Sequence, residues 1–144
     1  MLAYEHILTL PLATGQARGL LTKLLGQERA HARALSAELN ALGRPLPPAP
    51  TRLQQVNQAL SDHDLPGDLT AVKTLKDAVL LLLNIGQLCQ GAYYTAVGGV
   101  TAVGPMVRAV QALGSEGEHA TLLSGLIYKD IKNRVPAWYV AGVT

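Results

Sequence analysis

Leu21, Leu24, Leu25, Glu28, His31, Ala32, Leu35, Leu39 and Leu42 recur at intervals of three and four along the chain. That spacing places them on one face of an α-helix and on no single face of a strand, so the segment has to bury a stripe against other helices. The pattern predicts a helix that ends at Gly43. It returns in a third helix capped by Asp68, through Val72, Leu75, Val79 and Leu82 to Tyr93 and Val97, closed by Gly98-Gly99. A fourth begins near Gly104-Pro105, where a first turn tolerates proline, and carries Val110, Leu113, Glu116, His119, Leu123 and Ile127. At the front, Leu2 to about Ala13 reads as a shorter helix that Pro11 bends or ends. No useful strand-like alternation occurs, so the fold class is all-α.

The run Arg44-Pro45-Leu46-Pro47-Pro48-Ala49-Pro50 is poor in amide donors and prefers an extended path. Together with a short helix near Thr51 to Ser61 and a turn at Asp62-His63-Asp64-Leu65-Pro66-Gly67, it makes a Pro-rich crossover over residues 43–67. A helix of about 26 residues is roughly 39 Å long, and a connection of that kind is what returning along it requires. Four main helices with one long link between the second and third predict a bundle with a crossover rather than one joined by short loops. The tail, 133–144, with Val135-Pro136-Ala137-Trp138-Tyr139, reads as extended and lying on the bundle through Trp138. A chain of 144 residues, 49% hydrophobic, is one domain, 1–144.

Charge excludes some functions. Only 15% of residues are charged, the net charge is +2, and the lysines and arginines are scattered, which leaves no footprint for nucleic acid. Cys89 is the only cysteine, so an internal disulfide and a Cys-rich metal site are excluded, and it reads as a small buried apolar residue. The longest apolar run, Ala78-Val79-Leu80-Leu81-Leu82-Leu83, is cut by Asn84, Gly86 and Gln87, too short for a membrane span. Met1-Leu2-Ala3-Tyr4-Glu5 opens directly into helix-like sequence, which suits a cytoplasmic protein or one whose leader has been removed.

Two tetrads carry the chemistry: Glu28-Arg29-Ala30-His31 and Glu116-Gly117-Glu118-His119. Residues three apart share a helix face, so each tetrad can present a carboxylate and an imidazole to one metal ion. Both pairs fall on the stripe that packs inward, where an uncompensated carboxylate is costly. A dinuclear site also asks for a Glu from each of the other two helices. Glu5 is the only carboxylate on the first helix and fits a stripe of Met1, Glu5, Leu8 and Leu12. The third helix has no Glu; its inward candidates, Gln87 and Gln90, are neutral amides and weaker ligands for a hard cation. Tyr93 and Tyr94 read as core or bundle-edge residues, His6 and His63 as solvent-facing, and Lys73, Lys76 and Asp77 as a solvated face.

The run Leu25-Gly26-Gln27-Glu28-Arg29-Ala30-His31-Ala32-Arg33-Ala34-Leu35, the segment Gln90-Gly91-Ala92-Tyr93-Tyr94, the stretch Glu116-Gly117-Glu118-His119-Ala120 and the tail Val135-Pro136-Ala137-Trp138 resemble the bacterial ferritin-like domain proteins. The resemblance covers nearly the whole chain. It implies a ferritin-like four-helix bundle and a carboxylate site for two iron or manganese ions that react with oxygen or peroxide. In that family Glu commonly stands where this chain has Gln90 and Gly86, so the third-helix carboxylates are missing. By resemblance, Glu28, His31, Glu116 and His119 match the ligand motifs, with Glu5 bridging or supporting them.

The expected function is therefore metal binding at a partial or degenerate site of Glu5, Glu28, His31, Glu116 and His119, taking Fe or Mn, with Zn as an alternative. The alternative reading is a non-catalytic scaffold or interaction protein in which the same residues form a buried hydrogen-bond network, with or without metal. Either version is expected to self-associate as a homo-oligomer by burying exposed stripes on a neighbour.

Overall fold

A computed structural model describes residues 1–134. It is all-helical among those residues: α1 (Leu2–Thr9), α2 (Gly15–Ala41), α3 (Leu53–Asp62), α4 (Leu75–Gly99) and α5 (Val103–Ser124), with single 3-10 turns at Leu69–Ala71 and Ile131–Asn133. The expected seat of Trp138 lies outside the described residues. No helix among them is long and apolar enough to cross a membrane.

The helix ends follow from local chemistry. α1 stops at Thr9, earlier than Ala13, because Leu10 turns extended just before Pro11. α2 ends where Gly43 takes a left-handed backbone, φ +64°. There the Gly43 and Arg44 amides donate to the Asn40 and Leu39 carbonyls at 3.0 and 2.9 Å, a Schellman closure. The Asp68 assignment is corrected. Asp68 accepts from the Thr70 amide and closes only the Leu69–Ala71 turn, while Thr74 caps α4: its Oγ1 accepts from the Asp77 amide at 3.1 Å, and the Asp77 carboxylate accepts from the Thr74 amide at 2.9 Å. Asp77 is thus a cap as well as a solvated residue. α5 ends at Ser124, so Ile127 lies past it.

α1 packs on α2, α2 on α5 and α5 on α4, with α5 and α4 making the largest contact; α1 and α3 make smaller contacts with α4. Ile7, Leu21, Leu24, Leu60, Leu69, Val79, Leu82 and Leu123 form the fully buried centre. Asn57 pins α3 to the loop, donating to Asp68 Oδ1 at 2.6 Å and accepting from the Leu69 amide at 2.9 Å. His6 belongs to the same seam and is not solvent-facing as expected: its Nε2 donates to the Leu69 carbonyl at 3.1 Å.

α2 and α5 are antiparallel. The C-terminal part of α2 meets the N-terminal part of α5, where Glu38 reaches Arg108 at 3.5 Å. A Cβ on Gly104 would lie 2.8 Å from Glu38 Oε2, so the absent side chain lets that carboxylate approach the positive end of α5. The stripe on α2 is buried at Leu21, Leu24 and Leu25, half-buried at Leu35 and Leu39 and exposed at Leu42. The eight-residue α1 covers only part of the 27-residue α2, which accounts for the difference. On α5, Val103, Val107 and Val110 face outward, Val103 to 69%.

Candidate metal centre

The antiparallel contact of α2 and α5 brings the two tetrads together. One donor atom each of Glu28, Glu116 and His119 lie within 4.8 Å of one another. Glu116 is 3% exposed and His119 2%. His119 Nδ1 donates to Glu28 Oε1 at 3.0 Å, and its Nε2 lies 3.1 Å from Gln27 Oε1 and 3.3 Å from Ser115 Oγ. A doubly protonated ring satisfies Glu28 and Gln27 together; a neutral ring keeps the Nδ1 proton and accepts the Ser115 hydroxyl at Nε2. His31 stacks on His119, with ring centroids 5.9 Å apart at 19°.

Among the described residues, two buried polar atoms have no hydrogen-bond partner, His31 Nδ1 and Glu116 Oε1. Such orphans are uncommon in folded interiors and call for an explanation. Both belong to the tetrads.

The electrostatics separate the two carboxyls. Burial, and then the charge of Glu28, push Glu116 up to about 8, so it holds a proton at neutral pH. Burial acts on Glu28 in the same direction, but the hydrogen bond and charge of His119, followed by His31, outweigh it and hold Glu28 below the usual carboxylate range. Burial lowers His31, with Glu28 opposing and His119 reinforcing. Around the site, burial and the two carboxylates raise the Tyr4 and Tyr93 hydroxyls, and burial pushes the Cys89 thiol up to about 12. None of these three is poised to ionise near neutral pH.

Glu5 stands apart from this group. Its Oε1 accepts from Arg29 Nη2 at 2.7 Å in a solvent-facing pair between α1 and α2. Gln90 lies on the wall of a cavity of about 670 Å³ that opens beside Glu116, and Gln87, although on the same wall, is exposed. Gly86 is the other position on α4, and a Cβ there would sit 3.6 Å from Glu116 Oε2, so a side chain at 86 would adjoin the site. Gln27 and Ser115 were not anticipated. Ser115 could have been found, since it lies one turn before His119; Gln27 carries no such signal.

The donor set suits a divalent cation. Two carboxylates and an imidazole are ligands for Zn, Fe or Mn, and an ion at roughly 2.1 Å from each donor needs them drawn slightly closer than 4.8 Å. His119 would exchange one present hydrogen bond for the ion, whereas Glu116 Oε1 has none to give up. No family model, curated protein or solved structure matches this chain.

Proposed function

We propose that this protein is a ferritin-like metal-binding bundle whose site is reduced to one strong ion position. The observation that carries the proposal is the buried convergence of Glu28, Glu116 and His119 beside two partnerless polar atoms, Glu116 Oε1 and His31 Nδ1. Glu28, Glu116 and His119 are the ligands, with His31 completing the set by a side-chain rotation. Gly86 and Gln90, standing where a second pair of carboxylates would be needed, favour one ion over two, and Glu5 serves the surface pair with Arg29. Fe and Mn are the expected ions and Zn fits the same donors. Were iron or manganese held by Glu28, Glu116 and His119, the ion would supply a centre that oxygen or peroxide can oxidise.

The helix order supports the ferritin-like reading. α1 meets α2, α2 meets α5 and α5 meets α4, while α1 and α4 touch lightly and α3 touches both. The three-residue link Val100–Ala102 makes α4 antiparallel to α5. Since α2 is also antiparallel to α5, α2 and α4 run the same way, which agrees with a connection between Ala41 and Leu75 that returns along the bundle. The outward Val103, Val107 and Val110 are the stripe that a second copy would cover in a homo-oligomer.

A specific observation favours the alternative reading of a scaffold with a buried polar network: His119 already lies within hydrogen-bond distance of Glu28, Gln27 and Ser115. Metal analysis separates the two. Protein purified without chelator or His-tag should carry close to one Fe, Mn or Zn per chain, and chelator-treated protein should rise in melting temperature when the ion is restored. A stabilisation of about 3 to 4 kcal/mol is expected at a hundred- to thousand-fold excess over the dissociation constant. A melt indifferent to metal, with no ion retained, supports the scaffold.

A further inference from the structure

The cavity of about 670 Å³ beside the site is the size of a small-molecule pocket. Leu82, Leu83, Ile85, Val110, Leu113 and Leu123 supply its apolar wall. Gly114 and Gly117 widen it. Both lie inside α5, where glycine weakens a helix, and a Cβ on either would meet nothing within 4 Å, so no close approach of a neighbouring helix calls for them and what they provide is room. Val110 is half exposed and Gly114 exposed, which opens the cavity to solvent on the α5 side. Tyr4 stands on the wall as well. It is only 6% exposed, yet its hydroxyl makes no hydrogen bond among the described residues, and burial and nearby charges are what act on it. A withdrawn hydroxyl with no partner asks for one. Arg134 also lines the cavity, but its guanidinium is engaged by the Tyr128 and Lys129 carbonyls at 2.8 and 2.9 Å, and no other Lys or Arg lines it among the described residues.

We propose that this cavity binds an uncharged, mainly hydrocarbon ketone, its oxygen accepting from the Tyr4 hydroxyl and its carbon skeleton lying along the leucines and Val110 of α4 and α5. A carbonyl asks for one donor and brings none of its own to be stranded, and a phenol has one O–H to give. A ligand carboxylate would lose its hydration with no free guanidinium or ammonium side chain on the wall to replace it. The skeleton enters walls that are already apolar, where burial of its surface favours binding. Ketone binding of this kind needs no metal ion and no particular charge on Glu28 or Glu116, so it stands apart from the metal reading.

The test uses the full chain, treated with chelator and titrated by calorimetry at neutral pH with three probes: acetophenone, isopropenylbenzene, which has the same shape with a methylene in place of the oxygen, and benzoate. Acetophenone should bind more tightly than benzoate. Tyr4→Phe, which keeps the ring and its packing, should weaken acetophenone about three- to tenfold, the worth of one hydrogen bond, and leave isopropenylbenzene within about twofold. Gly117→Leu, which fills the cavity while favouring the helix, should weaken both uncharged probes with far-UV circular dichroism unchanged; should that variant not fold, the Tyr4→Phe comparison decides. No acetophenone binding by folded protein, benzoate binding as tight as acetophenone, or an equal effect of Tyr4→Phe on the two uncharged probes overturns the proposal. Binding that folded Gly117→Leu leaves untouched overturns it too, because the ligand then sits elsewhere. Acetophenone binding with these variant effects in protein that takes up no zinc supports the cavity assignment and counts against the metal reading alone. Zinc binding without acetophenone binding overturns the cavity assignment alone.

Discussion

His119→Ala is the substitution from which the arrangement predicts the largest effect. The imidazole is almost wholly buried, and it satisfies Glu28 at 3.0 Å while contacting Gln27, Ser115 and the His31 ring. Its removal takes a charge-assisted hydrogen bond from Glu28, leaves that carboxylate beside Glu116 without its partner, and opens space under His31. Breaking a fully buried pair costs about 3 to 5 kcal/mol. The Glu28 side chain is 13% exposed, which lets water offset part of the loss; about 2 to 4 kcal/mol is expected. For a chain of this size that is a fall in melting temperature of roughly 6 to 12 °C. The assay is urea unfolding of chelator-treated protein at pH 7, run as a cycle with Glu28→Gln, which removes the charge but keeps an oxygen for Nδ1. In that background His119→Ala should be milder by at least about 1 kcal/mol, the coupling of residues in direct contact. A single variant within about 0.5 kcal/mol of the parent, or a coupling near zero, would refute the account of His119 as the partner of Glu28.

Three further outcomes follow from the same contacts. Because Glu116 is raised from 4.5 to about 8, its protonated form favours the folded state: that stability is fully present below about 4.5 and declines as pH rises through 8, at up to about 1.4 kcal/mol per pH unit. His31 is depressed below 6.5 and Glu28 below 4.5, so the stability each adds is complete above those values and is lost only as pH falls below them; urea midpoints between pH 6.5 and 8.5 should therefore fall in the parent and stay level in Glu116→Gln, and parallel curves would contradict the assignment. Gln90→Glu should raise metal content from about one ion per chain toward two, as an anionic oxygen replaces an amide, with unchanged content showing that position 90 does not serve the site. Gly43→Ala should cost about 1 to 2 kcal/mol in chemical denaturation, since only glycine takes φ +64° freely, and a neutral result would argue that α2 closes differently.

Much of this was legible because a period of 3.6 fixes which residues share a face. The three long helices and the inward placing of Glu116 and His119 follow from intervals of three and four. The site also required two faces to meet, and the shared register of Glu and His with the leucine stripe on each helix carried that information. What stayed hidden depended on docking. Leu35, Leu39 and Leu42 continue the stripe, yet their burial is decided by how far α1 reaches along α2. Glu5 was placed with the ligands by its own stripe, but the register of α1 on α2 sets it beside Arg29 instead. Gln27 is one residue from Glu28, about 100° around the helix, so periodicity assigns it to another face; a long side chain brings it to His119. Asp68 and Thr74 are both acceptable caps, and only the reciprocal bond with Asp77 distinguishes them.

Glu28 and His119 are 91 positions apart in the chain, whereas α4 and α5 are joined by a three-residue link. The α4–α5 hairpin can pair through nearby residues, but the carboxyl–imidazole contact exists only after α2 has closed the far longer loop onto it. The side-chain resonances of His119 would therefore report complete assembly, while amide protection in α4 and α5 could persist after α2 has swung away. An ion held at this seam would act as a clasp across a contact 91 residues apart in the chain, raising the free energy of that one opening and leaving the local fraying of the hairpin untouched.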